Sequence, residues 1–141
     1  MKSGRFWLAV LVGGVVANVM DYLVYGRWLS NAYFMKNPVL FNNDPGNIPW
    51  FIVGDFVAVL VFAWIYDRVS SSFGSTPMDG AKAGLYLGVF ANFPLGIYMH
   101  LMFNGYPYGL SWISMVYGVI WCVVVGAVLA AMMKKGSMAA A

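Results

Sequence analysis

Four stretches of the chain read as nearly unbroken apolar runs: Phe6 to Tyr25, Trp50 to Tyr66, Ala81 to Phe103 and Trp112 to Met133. Each holds 17 to 23 residues, close to the roughly 20 that carry a helix across the hydrocarbon core of a bilayer. Amphipathic aromatics stand where such helices meet the interface: Trp7, Tyr25 and Trp28 around the first, Trp50 and Tyr66 around the second, and Trp112 at the start of the fourth. The pattern predicts an all-α fold, an integral membrane four-helix bundle that forms one transmembrane domain over residues 1–141.

The segments between the runs are polar. Trp28 to Lys36 has the composition of a short interfacial helix, and Asn42-Asn43-Asp44-Pro45-Gly46-Asn47 is turn chemistry. Ser70 to Pro77 reads as a flexible connector, with Thr76 or Asp79 placed to cap the third helix. Gly14-Val15-Val16-Ala17-Asn18 is echoed by Gly88-Val89-Phe90-Ala91-Asn92 in the third run, as two duplicated parallel hairpins would leave.

Composition removes the soluble alternatives. Of 141 residues, 62% are hydrophobic and 9% charged, with a mean hydropathy of +0.74, whereas a soluble domain carries about 25% charged residues. No room remains for a soluble catalytic or nucleotide-binding domain, and a net charge of +3 makes no nucleic-acid-binding face. The chain begins at Met1, so its first run reads as a retained span rather than a cleaved leader. The single Cys122 excludes an intramolecular disulfide. Basic residues set orientation: Lys2, Arg5, Arg68, Lys82, Lys134 and Lys135 fall on one side of the spans, against Arg27 and Lys36 on the other. The expectation is a bacterial inner membrane protein with both termini in the cytoplasm.

Small residues at a spacing of four mark packing faces. The third run carries Gly80, Gly84, Gly88, Asn92, Gly96 and His100, and the fourth Ser114, Gly118, Cys122, Gly126 and Ala130. Residues four apart share one face, and glycine there lets a second backbone come close. Pro94 leaves the carbonyl of Phe90 without its usual donor.

Ionisable side chains inside a span cost about 2.5–3.5 kcal/mol on insertion scales and are functional candidates by default. Asp21, Asp55 and His100 qualify, each about 6–8 Å below the outer interface at 1.5 Å per helical residue. They sit on three different helices at one depth. Asn18, Asn92, Tyr22, Tyr25, Tyr98 and Arg27 lie near them along the chain. Such a cluster suits a proton or cation relay or a small-ligand pocket; the plainer alternative pairs the two Asp with Arg27 and His100 to pin the helices. A lone His and no close-spaced carboxylates argue against a metal site or a cofactor, and no nucleophile is apparent for catalysis.

Asp21-Tyr22-Leu23-Val24-Tyr25-Gly26-Arg27-Trp28-Leu29, the long first outer loop and Gly105-Tyr106 before the fourth helix resemble a family of uncharacterised bacterial four-helix membrane proteins. That resemblance implies the four-span layout and no activity. The residues predict a non-enzymatic membrane protein, capable of homo-oligomerising, that binds or conducts a small solute, ion or proton through the Asp21, Asp55 and His100 cluster. Its alternative is a structural or accessory subunit docked by its apolar faces on a larger membrane complex.

Overall fold

A computed structural model describes residues 3–133; Lys2, Lys134 and Lys135, which carry part of the charge asymmetry, lie outside the described residues. The protein is an all-α four-helix bundle. Its elements are α1 (Gly4–Asp21), a π-helical continuation π1 (Tyr22–Phe34), a short 3-10 turn (Pro45–Asn47), α2 (Ile48–Phe73), α3 (Pro77–Met102) and α4 (Tyr108–Met133). Four helical stretches are long and apolar enough to cross a membrane.

The helices extend beyond their apolar stretches wherever the flanking residues do not stop them: α1 runs on into π1, α2 starts at Ile48 and ends at Phe73, and α3 and α4 start at Pro77 and Tyr108. Tyr22 to Phe34 contains no proline, so α1 runs on into π1 instead of yielding to a separate interfacial helix at Trp28. Its last turn is closed by the Met35 amide donating to the Ser30 carbonyl five residues back, at 3.0 Å. The Asn31 and Asn37 side chains donate to the carbonyls of Arg27 and Tyr33, each at 2.9 Å. The chain turns where Asn and Pro cluster: Asp44 donates its amide to Asn42 Oδ1 at 3.0 Å and accepts the Gly46 amide at 2.8 Å.

At the opposite end, the expected flexible connector is mostly helical, since α2 continues through Ser70, Ser71 and Ser72 to Phe73. Gly74 then takes φ 99°, a left-handed conformation that favours glycine, and its carbonyl accepts the Tyr66 hydroxyl at 2.9 Å. Thr76 and Asp79 form a reciprocal capping box: the Asp79 amide donates to Thr76 Oγ1 at 3.2 Å and the Thr76 amide to Asp79 Oδ2 at 3.0 Å. Thr76→Ala is expected to lower unfolding stability in detergent by about 1 kcal/mol, read from a denaturant or thermal transition.

Three helices build the core and the fourth leans on it. α1 buries Phe6, Ala9, Val10, Gly13 and Ala17, and α2 buries Val59, Phe62, Ala63 and Tyr66, both at three-and-four spacing. α4 faces them with Cys122, Val125, Leu129 and Ala130. α3 packs mainly on α4, with a lesser contact to α2 and no substantial contact with α1. It buries only Gly80, Ala83, Gly84, Gly88 and Gly96.

The glycine stripe of α3 and the small-residue run of α4 form that contact. A Cβ at Gly84 would stand 2.7 Å from the Cys122 carbonyl carbon and 3.0 Å from Val123 Cα. At Gly88 it would stand 2.9 Å from Val119 Cα, and Gly80 and Gly126 oppose each other backbone to backbone. Farther along, the Asn92 amide covers Gly118 and the Met115 side chain covers Gly96. Pro94 is absorbed without a break, α3 running through it to Met102. The bundle's outward faces are apolar, with Phe90 79% and Trp50 72% exposed, as suits a surface turned to lipid tails.

Candidate functional site

The core contacts of α1 and α2 set two carboxyl groups against each other. Val59 sits over Gly13 and the Phe56 ring fills the notch over Gly14, so the helices approach closely. Above these contacts, Asp21 at the end of α1 and Asp55 in α2 come within hydrogen-bonding reach of one another. Both are partly buried. A hydrogen bond between two carboxyl groups needs a proton held by one of them, because a carboxylate only accepts.

α4 supplies the third member. The buried Tyr117 donates its hydroxyl to Asp21 Oδ1. Beside it, the Tyr25 ring stands edge-on to Tyr117 with centroids 5.3 Å apart. No cation is paired with Asp21 or Asp55 among the described residues.

Aromatic rings continue from this point toward the loops. Tyr25 stacks on Phe34 at 6.3 Å, Phe34 meets Phe41 at 4.8 Å, and Phe41 meets Tyr106 at 6.0 Å. Tyr106 lies in the connection between α3 and α4, where burial pushes its phenol above the usual range, so it stays neutral at physiological pH.

The other candidate residues lie elsewhere. His100 is edge-on to Tyr108 at 4.9 Å, and its Nδ1 is buried without a hydrogen-bond partner. It forms no three-residue group with Asp21 and Asp55: no cluster of three or more His, Cys, Asp or Glu able to hold a metal occurs among the described residues. The physical reason is azimuth. His100 shares the depth of the two carboxyls, but α3 packs on α4 and makes no substantial contact with α1. Arg27 is exposed on π1 and does not cap the pair. Tyr22 and Tyr98 are 62% and 57% exposed and point outward. Asn18 and Asn92 turn back on their own helices, donating to the Gly14 and Gly88 carbonyls at 2.9 and 3.0 Å.

Tyr117 is the member that sequence reasoning missed as a site residue. A signal for Tyr117 was present: it stands five residues after Trp112, as Asp55 stands five after Trp50, and so at the same depth. No family model, no curated protein and no solved structure matches this chain.

Proposed function

We propose that this is a bacterial inner membrane protein, with both termini in the cytoplasm, that binds a proton at the Asp21 and Asp55 pair and passes it between the bundle and the outer side. The observation that carries the reading is that two carboxyl groups from different helices lie within hydrogen-bonding reach, with Tyr117 donating to Asp21 and no cation paired with either Asp among the described residues. A proton shared between two carboxyl groups belongs to the pair and leaves it only when water or another titratable group reaches the two side chains. Two surface grooves of about 330 Å3 each lie away from the pair, against Phe6 and Trp64 and against Lys36 and Asn104. Orientation rests on the six basic residues gathered at one end of the spans.

The test uses proteoliposomes with a trapped pH-sensitive dye and an imposed membrane potential. Wild type is expected to acidify or alkalinise the lumen according to the sign of the potential. Asp21→Asn and Asp55→Asn, which keep shape and remove the exchangeable proton, are expected to fall to the level of protein-free vesicles. Flux that survives both substitutions overturns the reading. A second reading, an accessory subunit of a larger complex, is favoured by α3, whose outer face exposes Leu85, Tyr86, Phe90 and Leu101. Purification from native membranes with a stoichiometric partner separates the two.

A further inference from the structure

The crevice between the first turn of α1 and the middle of α2 has a chemical shape distinct from that of the carboxyl pair. It measures about 330 Å3 and is walled by Phe6, Trp7, Leu60, Val61 and Trp64. Phe6 is buried, 4% exposed, while Trp7 and Trp64 stand 55% and 46% exposed. Phe6 meets Trp7 edge-on at 5.4 Å. The walls offer almost no hydrogen-bonding surface, so what fits between them is an alkyl chain.

A cation stands next to this crevice. Arg68 follows Trp64 by one turn of α2, toward the helix end, and its guanidinium carbon lies 4.0 Å from the centre of the Trp64 ring. That cation–π contact holds the guanidinium beside the ring. Arg68 is exposed and has no hydrogen-bond or ion-pair partner among the described residues. An alkyl slot ending in a fixed guanidinium, at the end of the bundle where interfacial aromatics gather, matches an acyl chain and the phosphate that terminates it. A zwitterionic headgroup brings its own ammonium and needs no protein charge, whereas a net-negative headgroup is neutralised by Arg68.

We propose that this crevice is a binding site for one anionic phospholipid, with an acyl chain between Trp7 and Trp64 and its phosphate on Arg68. The site is independent of proton binding at Asp21 and Asp55.

The experiment uses the full chain in mild detergent, adding dioleoyl phosphatidylglycerol or dioleoyl phosphatidylcholine at equal mole fraction. Thermal midpoint and native mass spectrometry are the readouts. Phosphatidylglycerol is expected to raise the midpoint more than phosphatidylcholine and to appear as one retained lipid per chain. Arg68→Gln is expected to abolish the difference between the lipids, and Val61→Trp, which fills the slot without changing charge, to abolish it as well. Arg27→Gln, at the opposite end, is expected to keep it. Equal shifts from the two lipids in wild type, or a preference surviving in Arg68→Gln, overturns the proposal. So does a concentration-dependent dimer that Val61→Trp dissolves, which would assign the crevice to a second copy of the chain.

Discussion

Gly84→Leu is expected to destabilise the bundle by at least about 3 kcal/mol, the upper end of what overpacking a close contact costs. The added carbons would point at the backbone of α4, with the Cys122 carbonyl carbon and Val123 Cα already within 3.0 Å of a bare Cβ. Backbone does not move aside as a flexible side chain does, so α3 and α4 must separate along the whole stripe, and the opposition of Gly80 to Gly126 is lost with it. Gly54→Leu supplies the control. Nothing lies within 4 Å of a Cβ there, and a better helix former on that open face leaves stability unchanged or slightly raised. Unfolding in mixed micelles compares the two, and equal losses would show that glycine content rather than the α3 and α4 contact matters.

The second large effect is expected at Asp21. Asp21→Ala takes the acceptor from the buried Tyr117 hydroxyl and the partner from Asp55 in one step, and an orphaned buried polar group costs about 1–3 kcal/mol. Tyr117→Phe in the Asp21→Ala background removes the orphan and is expected to recover part of the loss, with a coupling of about 1 kcal/mol, within the range of hydrogen bonds between membrane helices. Asp21→Asn keeps an oxygen for Tyr117 to donate to and is expected to fold like wild type. That separation matters for function: the Asn variant tests the proton without testing the fold. Additive losses for Asp21→Ala and Tyr117→Phe would mean that the two side chains do not depend on each other.

What could be read from the sequence, and what could not, follows from the physics of each signal. The α3 face was legible because residues four apart necessarily share a side, and only glycine tolerates the approach that membrane helices use. Asp21 and Asp55 were legible because charge is expensive in a span. His100 obeyed the same rule and still stood apart, since depth follows from counting residues to an interface while azimuth depends on which helices become neighbours. Tyr117 escaped notice because tyrosine is common in membrane helices, and no spacing rule says that its hydroxyl turns inward. The boundaries were hardest: Ser70 to Ser72 and Trp28 to Phe34 look like loop and interface by hydropathy, yet contain neither proline nor glycine to end a helix.

The α3 and α4 contact has a mechanical side. At Gly80, Gly84 and Gly88 α3 meets the backbone and small side chains of α4 directly. Such a surface resists separation but opposes little to displacement along its length, in the manner of a shear boundary. The catches are the Asn92 amide seated over Gly118 and the Met115 side chain over Gly96. Asn92 is further tied to the Gly88 carbonyl at 3.0 Å, so its latch belongs to α3 and its seat to α4. Removing both catches should free α3 to glide along a rail whose other end is still joined to α2 by the short turn at Gly74, where the Tyr66 hydroxyl donates to the Gly74 carbonyl at 2.9 Å.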